Sequence, residues 1–152
     1  MAVSIERGER DVVTETADKP ILASIREEWG WVKRGIEEIL QEQPKLTYRA
    51  EDVYAACLNG DAYLWVFPEG FLISTAEKDE YSGEHIFFFW LAWVKKRGEK
   101  TVFTKYVPFF LNIAKEMGFK RIETRTPVLE LERSFLADGW ERQSAIYTRE
   151  VQ

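Results

Sequence analysis

At 152 residues the chain is long enough for one domain with its own core. Its 45% apolar content excludes a disordered chain, and its net charge of −5, from 26 acids against 21 bases, argues against a general nucleic-acid binder. One cysteine, Cys57, excludes an internal disulfide, and with one histidine, His85, there is no usual ligand set for a metal. The opening residues, Met1-Ala-Val-Ser-Ile-Glu-Arg7, lack the apolar stretch of a signal peptide, and residues 86–94 are too few for a membrane-spanning helix, so a cytoplasmic protein is expected.

Residues 1–19 are polar and weakly patterned, with Asp11-Val-Val-Thr-Glu15 alternating enough for a short strand. A helix is predicted over residues 21–43. Ile25, Trp29, Val32, Ile36, Ile39 and Leu40 recur at three- and four-residue spacing and build one apolar stripe. Gly30 and Gly35 mark either a break or a close packing contact, and Pro44 closes the helix. Trp29 and Trp31 point about 200° apart on such a helix, so one of them is expected to be exposed for a protein partner or a second copy.

A short helix over residues 50–58 is predicted to stop at Asn59-Gly60, and Cys57 falls on its inner side as an inert thiol. Two β-rich runs around Pro68-Glu-Gly70 read as a hairpin. The run Ile86-Phe-Phe-Phe-Trp-Leu-Ala-Trp-Val94 reads as a strand buried on both faces, with Trp90 and Trp93, three apart, on opposite sides. The basic loop Lys95-Lys-Arg-Gly-Glu-Lys100 follows, then an amphipathic helix over residues 102–117 stopped by Gly118. Residues 120–125 read as a strand. Thr126-Pro127 reads as the start of a helix ending near Asp138-Gly139, and residues 144–151 alternate as a last strand. One α/β layer domain over residues 1–152 follows, with a mixed central sheet and helices on both faces.

A buried strand, a cationic loop and a helix start make a frame that attracts anions, because the first N–H groups of a helix are free. Lys95, Lys96, Arg97, Lys100 and Lys105 supply the charge, and Gly98 is the loop's one small residue. Among acids, Glu77, Asp79, Glu80 and Glu84 flank the ends of the third and fourth strands. His85 is a further base candidate, because histidine as a residue type can exchange a proton near neutral pH. No serine or cysteine stands at triad spacing from a histidine and an acid.

The order of elements resembles the GCN5-related N-acetyltransferase (GNAT) superfamily, best over residues 61–151. The close, Phe135-Leu-Ala-Asp-Gly139-Trp140, is similar to the family's aromatic-x-x-x-Gly-aromatic pattern. The resemblance implies the acyl-CoA N-acyltransferase fold, with residues 84–94, 95–103 and 104–117 as strand, pyrophosphate loop and helix. If acetyl-CoA is the cofactor, it would be held by Trp93, Val94, Lys95, Arg97, Gly98, Lys100 and Thr101. Glu84 would deprotonate an amine, and Tyr147 would protonate the leaving thiolate.

Two departures point away from acetyl transfer. The family loop places small residues at two positions, and neither register restores them: one puts Thr101 and Phe103 there, the other Gly98 and Lys100. Phe135 stands where the family often has a tyrosine, and phenylalanine has no proton to give. Val107-Pro-Phe-Phe-Leu111, Ala114-Lys-Glu-Met-Gly118, Arg121-Ile-Glu-Thr124 and Gly139-Trp140 are similar to small GNAT-like proteins of tailed bacteriophages, some of them virion components. That resemblance implies a structural or binding role without cofactor, in host cytoplasm or virion. The alternative is a divergent N-acetyltransferase acting on an amine.

Overall fold

The fold is that of a computed structural model in which residues 19–96 and 101–152 are described, residues 101–103 by backbone alone. The strand expected at Asp11–Glu15 lies outside the described residues. Strand β1 (Ile21–Ala23) leads into helix α1 (Ile25–Glu42) and helix α2 (Ala50–Leu58). Strands β2 (Ala62–Phe67), β3 (Gly70–Lys78) and β4 (His85–Val94) follow. Helix α3 (Thr101–Glu116), strand β5 (Arg121–Thr124) and helix α4 (Leu131–Ala137) complete the regular elements. The five strands lie in chain order, β1-β2-β3-β4-β5, antiparallel except for the parallel pair β4–β5.

Aromatic packing fills both faces of this sheet. On one, α1 and α2 cover Leu64, Phe71, Ile73 and Leu91 through Val32, Ile36 and Val53. On the other, α3 brings Tyr106, Phe110 and Ala114 onto Trp65, Leu72, Phe87 and Phe89. Strand β4 is interior, and Ile86 through Phe89 are buried in succession, as the unbroken apolar run requires. The one buried polar side chain among the described residues, Ser74, accepts a hydrogen bond from Trp65 Nε1 at 2.9 Å.

Three helix stops follow the sequence directly. Gly60, Gly118 and Gly139 all have positive φ, where a glycine costs least. At the start of α2, the Asp52 carboxylate accepts the Arg49 backbone N–H at 2.8 Å, tying off the first turn.

Five expectations are resolved, four by correction and one, at Gly35, in favour of one of its two alternatives. Residues 21–23 are strand, not helix: they pair with Leu64, Trp65 and Val66, and α1 begins only at Ile25. Sheet pairing outweighs helical periodicity there. Gly35 is a packing contact and no break, because a Cβ on it would stand 2.7 Å from Phe71 and 2.9 Å from Trp93. Neither Trp29 nor Trp31 is exposed. Helix α1 packs against both α2 and the sheet, so Trp29 meets Tyr54 at 4.8 Å while Trp31 meets Phe71 at 5.6 Å.

The fourth concerns the start of α4. Thr126 Oγ1 accepts the Val128 N–H as a cap would, yet the helix waits until Leu131 while the Val128 carbonyl accepts the Leu131 N–H in a separate turn. Fifth, residues 144–151 form no strand. Residues 141–152 have no regular structure and are exposed throughout.

Candidate functional site

The site is built around an interruption in β4. Ile73 pairs with Leu91 but Ser74 pairs with Phe89, so Trp90 is an extra residue, a β-bulge. The bulge inverts the side-chain alternation beyond it. Phe87 and Phe89 face α3, whereas Leu91 and Trp93 face α1. Trp90 and Trp93 therefore share the α1–α2 face, against the expectation of opposite faces. Trp90 packs on Tyr48 at 5.3 Å and Trp93 stacks on Phe71 at 5.8 Å.

At the same point β4 loses its outer neighbour. Pairing with β5 ends at Phe89↔Thr124, while pairing with β3 continues to Gly70↔Val94. Thr124 Oγ1 donates to the Phe89 carbonyl at 3.2 Å and so terminates the ladder. From Trp90 to Val94 the β5-side edge of β4 has no strand partner among the described residues. This notch opens beside Trp140, which lies against Phe89 at 5.9 Å and Phe135 at 5.3 Å. Phe135 thus stands at the wall of the notch through Trp140. Helix α3 begins after β4 with Thr101, and its first turn carries no acid to oppose an anion.

The end of β4 is fixed on its β3 side by Glu69 in the β2–β3 turn. Its carbonyl accepts the Lys95 N–H at 2.7 Å, and its carboxylate accepts Tyr106 Oη at 2.6 Å and Lys105 Nζ at 3.0 Å. Partial burial pushes the Glu69 carboxyl up, but the Tyr106 hydroxyl, the Lys105 ammonium and its own backbone N–H together hold it below the usual carboxylate range. Lys105 is therefore already neutralised. Lys95 extends over the Trp31 ring, 5.6 Å from its centroid, and Lys96 is exposed.

The structure places the other predicted residues as follows. The backbones of Trp93 and Val94 line the open edge, and the Trp93 indole N–H is buried without a hydrogen-bond partner. Arg97, Gly98 and Lys100 lie outside the described residues. Thr101 is the first residue of α3, three residues earlier than a loop running to Phe103 would allow; its side chain, like that of Phe103, is not described. Glu84 sits just before β4, six residues and roughly 20 Å of strand from the bulge. There it accepts from Arg121 at 3.1 Å, and Arg121 also donates to Glu123 at 2.7 Å.

Glu77 pairs with Arg125 at 3.2 Å, and the Asp79 carboxylate is held low by the N–H groups of Ser82 and Tyr81. His85 is exposed at the start of β4. Tyr147 is 91% exposed in the C-terminal segment. The half-buried Cys57 thiol is pushed up to about 11 by burial, which suits an inert thiol.

Sequence reasoning missed the bulge and the Glu69 clamp. A bulge leaves no mark in an all-apolar run, and Glu69 reads as an ordinary turn residue. A groove of about 560 Å³ between α1 and the start of α2 is lined by Glu37, Leu40, Gln41, Arg49, Ala50 and Glu51. Among the described residues no cluster of three or more metal-ligating side chains occurs, and no helix is long and apolar enough to cross a membrane.

No family model matches the chain, and no curated protein matches it by sequence. Solved structures do match. A possible acetyltransferase from Clostridium difficile 630 superposes with a TM-score of 0.67 at 12% identity, covering 88% of this chain and 97% of that one. A ribosomal-protein-alanine N-acetyltransferase from Brucella melitensis biovar Abortus 2308 gives 0.66 at 10%, covering 88% and 99%. An aminoglycoside acetyltransferase from an uncultured soil metagenomic sample gives 0.63 at 14%, covering 88% and 96%. At these identities the likeness is one of fold: the mixed sheet and its helices are those of the GNAT acyltransferase fold.

Proposed function

We propose that this chain is a GNAT-fold protein that acts by binding, as a structural or interaction component, and has little or no acetyl transfer of its own. The observation that carries this reading is the distribution of acid–base groups. Glu84 is held by Arg121 at the far end of β4, and Tyr147 is exposed within residues 143–152, which make no hydrogen bond among the described residues. The described side chains around the notch, Phe89, Trp90, Leu91, Phe135 and Trp140, carry no proton suited to transfer. A virion-associated role in an infected cell rests on the resemblance of residues 107–140 to phage proteins of this fold.

A second reading, a divergent N-acetyltransferase, is favoured by the open edge of β4. The peptide groups between Trp90 and Val94 that face away from β3 have no strand partner among the described residues and suit the amide-bearing arm of an acyl-CoA, and Lys95 and Lys96 suit its phosphates. When bound, that cofactor supplies an activated acyl thioester. This chain's residues would hold and orient it along β4, and the aromatic wall of Phe89 and Trp140 would exclude water. The three fold neighbours named above, two acetyltransferases and one possible acetyltransferase, agree with this reading at the level of scaffold.

The two readings separate in a thiol-release assay with acetyl-CoA and a panel of primary amines. The binding reading predicts no release above the enzyme-free rate. Release that saturates with an amine, and that Glu84→Gln lowers at least about tenfold, would establish the transferase.

A further inference from the structure

We propose that the ring face of Phe88 and the carboxylates of Glu77 and Glu123 form a seat for a guanidinium group. The chain's own Arg125 occupies the seat in the single chain, and an arginine of a basic partner protein takes its place on binding. The argument starts from two apolar residues outside both cores. Ile86 and Phe88 are 5% and 7% exposed, yet neither belongs to the two clusters packed by the helices. They point away from α3, because Phe87 and Phe89 face it. Over Phe88 lies a cation: the Arg125 Cζ stands 4.7 Å from the ring centroid.

The two carboxylates come from the strands on either side of β4. Glu77 of β3 is the register partner of Ile86, and Glu123 of β5 is the partner of Phe88, so both rise on the face that Phe88 shares. Arg125 Nη2 donates to Glu77 Oε1 at 3.2 Å and lies 3.8 Å from Glu123 Oε1. An aromatic face between two carboxylates suits a guanidinium, which stacks through its plane and donates through its edge. The seated Arg125 side chain itself shows which chemical group fits there.

Arg125 is a weak occupant. One nitrogen serves both carboxylates and the longer contact is no hydrogen bond, so the two-pronged geometry that makes such pairs strong is unused. Its side chain is 57% exposed and stems from the irregular connection after β5, so it can swing into water at little cost. Once it has left, three carboxylates of this ion-pair chain, Glu77, Glu84 and Glu123, face one guanidinium, Arg121. The seat is then net negative and draws in a replacement cation.

The occupant is an arginine because a lysine ammonium is a point charge without a planar face to stack. It belongs to a basic partner because a second copy of this chain, at −5, would be repelled as a whole. This inference names a partner chemistry for the binding reading, at a place away from the notch, and it stands whether or not acetyl-CoA binds.

The test is a titration of N-acetyl-arginine amide into the full chain, followed by the backbone amide shifts of β3, β4 and β5. Arg125→Ala empties the seat at an exposed side chain, so circular dichroism should be unchanged. Arg125→Gln removes the charge and keeps a polar stem, as a second variant. Both should bind the probe saturably, with shifts centred on Phe88 and Glu123. The wild type should bind it at least about tenfold more weakly, because only molecules with Arg125 displaced are competent. Adding Glu77→Gln to Arg125→Ala should weaken binding at least about fivefold, and the uncharged analogue N-acetyl-citrulline amide should not bind. Absence of saturable binding by both variants overturns the proposal. Equal affinity of wild type and variants, or equal binding of the citrulline compound, overturns it as well.

Discussion

Individual side chains show where the notch gets its rigidity. Gly35 allows α1 to close on Phe71 and Trp93, and any Cβ there must displace two aromatic rings. Gly35→Ala should cost about 1–3 kcal/mol in chemical denaturation, as overpacking does in a dense core. Gly30→Ala, with nothing within 4 Å of its added Cβ, should be neutral or slightly stabilising. Equal effects of the two would contradict the packing described for α1.

Glu69 gives a pH signature at the same scale. Its carboxyl is held below the ordinary range in the fold, so its contribution is fully present above the unfolded value of about 4.3 and disappears as pH falls through the folded value. Glu69→Gln should therefore lower stability by about 1 kcal/mol at neutral pH, and the difference from wild type should vanish in acid. Melting temperatures of both proteins across pH check this. A gap that persists unchanged well below the carboxylate range would mean that the charge on Glu69 does not hold Lys105 and Tyr106.

Elements were legible in the sequence where local chemistry decides them. The apolar stripe of α1, the Pro68-Glu69 hairpin, the buried β4 and the glycine stops after α2, α3 and α4 all follow from residue type and spacing. They were illegible where distant partners decide. Residues 21–23 have helical periodicity up to the point where β2 claims them. The bulge at Trp90 is set by the register with β3 and has no signature among nine apolar residues. The last strand is the reverse case. Residues 144–151 have the alternation of a strand but form none, although β5 is an edge strand paired only with β4 among the described residues.

For the whole molecule, the same sheet that defines the GNAT fold leaves β4 open beyond Phe89 and puts the acid–base candidates elsewhere. The scaffold was legible from element order. The site was only partly so, because Glu84 and Tyr147 were placed by analogy with the family, while Arg121 and the unpaired C-terminal segment decide where they stand. The measurement that tests the account most directly is a calorimetric titration of acetyl-CoA into the purified chain. The binding-protein account predicts no saturable heat, or a dissociation constant far weaker than micromolar. Submicromolar binding, about −8 kcal/mol or better, would contradict it and make the open edge of β4 a working cofactor site.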